Sequence, residues 1–505
     1  MPAPGTVIEL LAASREPALG APGRPALDHA GLVRQVEDGM RALRRLGIGR
    51  GDRVAMVLSN RPETAAAFLA VAAAASAAPL NPAYRPEELD FYLGDLRARA
   101  VLVDGDGPVV EVARARGIPV IHLTPGEAAG QFALGGDDGG GQAGPPPAAG
   151  DVALVLHTSG TTARPKQVPL THGNLSASAR AVAAALALGP SDRALHLMPL
   201  FHIHGLVAGL LAPLAAGGSL FVPPGFDALR FFAWLEEAGA SWYTAVPTMH
   251  QAILTRADRN REVLARAQLR LVRSSSAALA PSVMQALELT FGAPVIEAYG
   301  MTEAAHQMTA NPLPPAARKP GSVGLPAGPE VAILDEQGGP VPVGGDGEVC
   351  VRGPGVMAGY DGDPAATAAA FHAGGWFRTG DQGALDADGY LRLTGRLKEM
   401  INRGGEKIAP REVDEVLLAH PAVAQAVTFA LPHDKLGEEV AAAVVLRQGA
   451  AGVPPSEAEL RELVRARLAD FKVPRRIVFV DAIPTGPTGK LVRIGLARRL
   501  GLVPA

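Results

Sequence analysis

The sequence predicts an α/β chain in which mostly parallel sheets are covered by helices, followed by a part built of short strands and a small α+β domain. Three observations lead there. Helix and strand patterns alternate up to about residue 330, the mark of sheets flanked by helices. From residue 340 the composition turns glycine-rich, with short apolar runs. About the last hundred residues return to amphipathic helices and strands of ordinary length.

Length and composition bound the rest. A chain of 505 residues is too long for one ordinary domain, so two or three are expected. Charge is nearly balanced, 47 Lys and Arg against 50 Asp and Glu, which gives no electrostatic footprint for nucleic acid or an anionic membrane. Cys350 is the single cysteine, which excludes an intrachain disulfide and fits a reducing, cytoplasmic setting. The N-terminus has neither the basic start nor the apolar core of a signal peptide. The uncharged run from Thr64 to Tyr84 is mostly alanine, only weakly apolar, so it reads as a close-packed buried helix rather than a membrane span.

In chain order, residues 1–133 read as a first α/β layer. Leu32 to Leu46 carries a helical apolar stripe opposite charges. Arg53 to Leu58 and Ala100 to Val103 read as strands. Residues 134–150 are low-complexity Gly, Pro and Ala, the composition of a flexible surface loop. Val152 to Leu156 reads as a buried strand entering the segment His157 to Thr171, where Thr158, Ser159, Gly160, Thr161 and Thr162 are followed by Lys166. Such a loop can offer backbone N–H groups, hydroxyls and an ammonium to a polyphosphate, or it is a polar surface turn. It is not a Walker loop, because Pro165 and Gln167 flank the lysine.

Next, Ala194 to Met198 leads into Pro199 to Gly205, with His202 and His204 one residue apart. They read as metal ligands or, with no Cys/His partners at zinc spacing, as a pocket wall. Leu269 to Pro281 is a strand running into a small-residue turn, which admits a planar ligand or starts a helix. Val295 to Glu303 is a strand ending in Thr302 and Glu303, a seat for a hard cation or a helix N-terminus. Gly347 to Gly353, Trp376 to Asp381 and Gly389 to Ile401 are the short strands of the glycine-rich part, the last running into a charged joint. Pro410 to Leu418 starts an amphipathic helix. Near the end, Lys490 sits after a glycine, ordinarily a solvated charge.

Taken together and in order, HTSGTTARPK (157–166), YGMTE (299–303), WFRTGD (376–381), GRLKEMINRGGEKIAPREVDEV (395–416) and PTGPTGK (484–490) resemble the acyl-adenylate-forming superfamily of acyl-CoA synthetases, luciferases and peptide-synthetase adenylation domains. The resemblance spans nearly the whole chain. It implies a large N-terminal domain of stacked mixed sheets with helices plus a small β-barrel-like part (1–395), a hinge at 396–400 containing Lys398, and a small mobile α+β domain (401–505). It implies ATP, magnesium and CoA as reaction partners, with an acid carboxylate activated as an acyl-adenylate before a thiol displaces AMP. On this resemblance Thr158, Ser159, Gly160, Thr161, Thr162 and Lys166 cradle the β- and γ-phosphates. Ser276, Ala277, Ala278, Glu297, Ala298, Tyr299 and Gly300 form the adenine slot, with Tyr299 on the base. Thr302 meets the α-phosphate, Glu303 holds magnesium, Asp381 takes the ribose hydroxyls, and Arg396 contacts the ribose or phosphate. Lys490 serves adenylation, and the Gly404-Gly405 loop faces the thiol step. One departure stands out: Gln167 occupies the place of the family's usual glycine after the loop lysine.

For the acid, PLFHIHGLVAGLL (199–211), SWYTAVPTMHQAIL (241–254), VRSSSAALAP (272–281) and MTEAAHQMTANPLP (301–314) resemble the oxalate–CoA ligases. His202, Ser276 and His306 then border the acyl pocket, and each can donate a hydrogen bond to a second carboxylate. The alternative for His306 is a satisfied core histidine on a helix. Other readings are a medium-chain or aryl acyl-CoA ligase, an amino-acid adenylation domain, and a catalytically silent nucleotide-binding regulator. No nucleic acid or membrane partner is expected, and the oligomeric state stays open.

Overall fold

The computed structural model describes residues 5–136, 145, 147–158, 165–447, 454–485 and 491–503. Two mixed sheets form the body of the large N-terminal part. The first has seven strands, in the spatial order Phe132–Gly135, Val120–Pro125, Ala100–Val103, Arg53–Val57, Ser76–Pro79, Val152–Thr158, Lys166–Thr171. Its interior pairs are parallel, and an antiparallel strand closes each edge. The second has nine strands and a parallel centre running from Pro17–Ala21 through Ser219–Phe221, Arg193–His196, Trp242–Ala245 and Leu271–Ser274 to Val295–Met301. Their short central strands are almost wholly buried, as expected where helices cover both faces.

The alanine-rich run is part helix, part strand. Helix Pro62–Ala74 is buried at every position, and its small side chains let helix His29–Arg45 approach closely. A Cβ on Gly39 would lie 2.8 Å from the Cβ of Ala70, so only glycine fits that crossing. The expected single helix to Tyr84 is corrected here: the chain leaves the helix at Ala75 and continues as the buried strand Ser76–Pro79, parallel to Arg53–Val57. Tertiary pairing with that neighbour outweighs alanine's helix propensity. Among the described residues no helix is long and apolar enough to cross a membrane. The first two residues of the low-complexity segment belong to the edge strand Phe132–Gly135; residues 137–144 and 146 lie outside the described residues.

The glycine-rich part forms a five-stranded antiparallel sheet of Glu330–Leu334, Gly347–Arg352, Phe371–His372, Trp376–Leu385 and Leu391–Arg396. Sheet membership changes across the turn Leu397 to Glu399. Beyond it, Ile401–Arg403, Glu406–Ile408, Val423–His433, Gly437–Leu446 and Arg476–Phe479 make a separate sheet backed by helices Pro410–Leu418 and Glu457–Arg465. That unit has its own cores, one around Ile401, Val413, Val440 and Leu460 and one around Phe429 and Leu496. Polar contacts join it to the rest: Arg411 Nη1 donates to the Leu393 carbonyl at 3.2 Å, and Gln251 Nε2 to that of Ala424 at 3.4 Å.

Candidate active site

The site gathers where the parallel strands of the nine-stranded sheet end. Strand Val295–Met301 carries Glu297, Ala298, Tyr299 and Gly300. Gly300 pairs so tightly with the returning strand that a Cβ would lie 1.4 Å from the carbonyl oxygen of His306. Glu297 is buried; its Oε1 accepts the Leu279 N–H at 3.1 Å, while Oε2 has no partner among the described residues. Burial pushes its carboxyl up to about 7, so it is half-protonated near neutrality. The Tyr299 hydroxyl donates to Asp381 Oδ2 at 2.5 Å, and Arg396 Nε donates to Asp381 Oδ1 at 2.8 Å. Three residues far apart in sequence are thus joined at one carboxylate. Ala277 and Ala278 are exposed beside Ser276, leaving that turn open.

Thr302 and Glu303 lie in a single 3₁₀ turn, Thr302–Ala304, rather than at the head of a longer helix. Left-handed Ala305 (φ +47°) ends the turn and His306 opens the strand His306–Ala310. The helix in the alternative reading of His306 is therefore corrected: the reversal at Ala305 sets it in antiparallel pairing with Met301, while the side chain is buried, as that reading has it. Glu303 is buried, and burial raises its carboxyl. The Tyr360 hydroxyl donates to Glu303 Oε1 at 3.3 Å, and Lys166 Nζ lies 4.5 Å from the Tyr360 ring centroid. Tyr360, which the sequence did not single out, thus links the loop lysine to the acidic residue. A buried carboxylate oxygen such as that of Glu303 is the hard donor that suits magnesium.

The Gln167 side chain is held by Asp95 and Arg53. Its Nε2 donates to the carbonyl and to Oδ2 of Asp95 at 2.8 and 2.7 Å, and its Oε1 accepts from Arg53 Nη1 at 2.8 Å. The side chain therefore ties strand Lys166–Thr171 to helix Pro86–Leu96 and to strand Arg53–Val57. Ser159, Gly160, Thr161, Thr162 and Lys490 lie outside the described residues; Thr158 ends its strand and pairs with Lys166.

Polar side chains also cluster on the acid side. A π-helix, His204–Leu211, begins there; such turns recur at functional sites. His204 Nδ1 lies 3.0 Å from Ser276 Oγ and Nε2 lies 2.7 Å from Thr244 Oγ1. The rings of His204 and His306 stack at 4.8 Å, and the His204 N–H donates to His202 Nδ1 at 3.3 Å. Beneath them Arg273, fully buried, donates to His306 Nε2 and Gln307 Oε1 at 3.1 Å and to His204 Nε2 and Thr244 Oγ1 at 3.3 Å. Ser276 (φ +73°) and His306 (φ +95°) both hold left-handed backbone, strain of the kind that collects at functional sites. His202, Ser276 and His306 thus meet through His204 and Arg273. The sequence showed His204 only as half of a pair, and Arg273 as one residue of a motif.

In the small unit, Gly404 (φ +61°) and Gly405 (φ +96°) form the two-residue turn between Ile401–Arg403 and Glu406–Ile408, where positive φ at both central positions favours glycine. Lys398 sits in the turn between the sheets.

Comparison with known proteins agrees with this architecture. The family model described as AMP-binding enzyme matches residues 17–361, and AMP-binding enzyme C-terminal domain matches 412–490. The chain is 45% identical to the oxalate–CoA ligase of Arabidopsis thaliana over 490 residues, 94% of each chain. It is 39% identical to the sulfoacetate–CoA ligase of Cupriavidus necator over 454 residues, 89% of this chain and 88% of that one. The ATP-bound crystal structure of MatB from Rhodopseudomonas palustris superposes with a TM-score of 0.85 at 30% identity, covering 96% of this chain and 97% of that one. The chain belongs to the AMP-binding enzyme family and is an AMP-forming acid–CoA ligase.

Proposed function

We propose that the acid is oxalate or a similarly small diacid. The observation that carries this reading is the cluster of buried His204 and His306 with partly exposed Ser276, gathered around a guanidinium that has no acidic side chain bonded to it among the described residues. A tunnel for a fatty acyl chain has no use for such a cluster, because polar groups buried against a hydrocarbon tail cost free energy. Two relatives support the reading: oxalate and sulfoacetate each carry a second anionic group beside the carboxylate that is activated.

In this mechanism an acid oxygen attacks the α-phosphorus of ATP, the bond to the bridging oxygen breaks, and pyrophosphate leaves. Thr158, the loop through Thr162, and Lys166 hold the β- and γ-phosphates in line. Ser276 to Ala278 and Glu297 to Gly300 hold the adenine, while Asp381, steadied by Tyr299 and Arg396, accepts from the ribose hydroxyls. Thr302 meets the α-phosphate. Glu303 would hold magnesium, which would neutralise phosphate charge. Lys490 brings its ammonium to the oxygens where charge develops between acid and phosphorus. The small unit then turns about residues 396–400, at Lys398, so that Gly404 and Gly405 face the site. The CoA thiol attacks the acyl carbon, the C–O bond to AMP breaks, and acyl-CoA forms. Separate cores on either side of that turn suit such a rotation.

The test is pyrophosphate release across oxalate, malonate, acetate, a medium-chain fatty acid and benzoate. Highest kcat/KM with oxalate or malonate is expected; activity confined to the fatty acid or benzoate rules the reading out.

A further inference from the structure

The geometry assigns to Arg273 the role of positioning residue for the second anionic group of the acid: it fixes the proton on each of two stacked histidines, so that the acid side presents donors. This rests on the proposed small diacid and names what in the chain selects it.

Arg273 is fully buried and forms no salt bridge among the described residues. Its hydrogen-bond partners are two imidazole nitrogens, a threonine hydroxyl and an amide oxygen, all neutral. A guanidinium without a carboxylate is costly inside a protein, and an anionic acid bound nearby offsets that cost. The hydrogen bonds also carry direction. Guanidinium has donors only, so each imidazole nitrogen facing it must accept. Nε2 of both His204 and His306 is therefore bare, and each ring, neutral, bears its proton on Nδ1. The Thr244 hydroxyl agrees, since it accepts from Arg273 and donates to His204 Nε2. His204 Nδ1–H then donates to Ser276 Oγ at 3.0 Å, which leaves the serine's own hydrogen for an acid oxygen. Ser276 is partly exposed, in the turn next to Ala277 and Ala278. One buried cation thus sets the donor sense of a chain that ends at an accessible hydroxyl.

The other charged or titratable groups on elements packed about the two rings are His172 and Arg180 on helix His172–Ala185, His196 on strand Arg193–His196, Tyr243 on strand Trp242–Ala245, Glu297 and Tyr299 on strand Val295–Met301, His202 before the π-helix, His250 on helix Pro247–Leu254 and Glu303 in the turn before His306. Among the described contacts none of them is bonded to the Arg273 guanidinium.

The test compares Arg273→Gln and Arg273→Lys with the unaltered enzyme, using oxalate and malonate against acetate, with the KM for ATP as internal control. Arg273→Gln is expected to raise the diacid KM by about tenfold to a hundredfold relative to acetate, with the ATP KM unchanged and with Arg273→Lys recovering part of the loss. In Arg273→Gln the histidines are free to take up protons, so the diacid KM falls again as pH drops through about 6.5; the unaltered enzyme shows no such inflection. Equal loss for all acids, or a parallel rise in the ATP KM, overturns the role of Arg273 while leaving the diacid reading intact. An unaltered enzyme with no preference for diacids overturns both. Should Arg273→Gln fail to fold, nitrogen-15 NMR of the unaltered protein, assigned with His204→Gln and His306→Gln, decides. Nδ1–H tautomers at both rings are expected, and Nε2–H or doubly protonated rings overturn the role.

Discussion

Tyr299→Phe isolates a single oxygen at the junction of strand, ribose site and turn. The hydroxyl donates to Asp381 Oδ2 at 2.5 Å, and both residues are buried. Phenylalanine keeps the ring, so no cavity opens and the change is confined to one hydrogen bond. A hydrogen bond to a charged acceptor contributes about 1.5–3 kcal/mol, because the carboxylate oxygen left behind is buried without a donor. Arg396, bonded to the other oxygen at 2.8 Å, is partly exposed, and solvent screening keeps its ion pair from making up the difference. Urea unfolding of the large part should therefore lose about 2 kcal/mol. With Asp381 held on one side only, its alignment to the ribose loosens, and the ATP KM should rise about tenfold, the equivalent of 1.4 kcal/mol. The acid KM should not move. A variant with stability within about 0.5 kcal/mol of the original and an unchanged ATP KM refutes the idea that Tyr299 orders Asp381.

Other expectations follow from the same geometry. The Glu297 carboxyl is raised from 4.5 to about 7 by burial, so its contribution to stability is complete below pH 4.5 and is lost as pH rises through about 7, a change of up to about 3 kcal/mol. Glu297→Gln, which keeps an acceptor for the Leu279 N–H, should flatten the unfolding free energy across that window; an unaltered slope contradicts it. Gln167→Gly deletes the bonds to Asp95 and Arg53 and frees the backbone, so unfolding should be easier by about 2–4 kcal/mol. Its ATP KM should change less than about threefold, since the side chain is engaged by Asp95 and Arg53; a large KM change shows that it acts on the nucleotide as well. Lys490→Ala should keep ATP binding, measured by calorimetry, while pyrophosphate release falls by about a hundredfold or more. Undiminished release would instead suit an enzyme that activates acids without this lysine, and ATP binding with no release in the unaltered chain would suit a silent regulator.

Local patterns made the architecture legible: the alternation of strand and helix, the glycine-rich change near residue 340 and the paired glycines of the 404–405 turn each have a cause within a few residues. The alanine-rich run misled because Ser76 to Pro79 is a strand only by virtue of its neighbour Arg53 to Val57. Proximity was legible where residues share a contiguous motif, as at Tyr299, Thr302 and Glu303, which one strand and the turn after it keep together. It was illegible where partners meet across the chain. Tyr360 reaches Glu303 from 57 residues away, Ser276 meets His204 across 72, and Arg273 meets His306 across 33. No periodicity records such meetings. A lone arginine in a strand otherwise made of buried residues was the one signal available, since an arginine so placed needs acceptors.

The account stands or falls on the acid's oxygen becoming bonded to the α-phosphorus. Oxalate labelled with oxygen-18, incubated with the enzyme, ATP, magnesium and CoA, should give oxalyl-CoA and AMP carrying one labelled oxygen, because the C–O bond breaks in the second half-reaction. Oxalyl-CoA formed with no label in AMP, or with the label in phosphate or pyrophosphate, contradicts an acyl-adenylate.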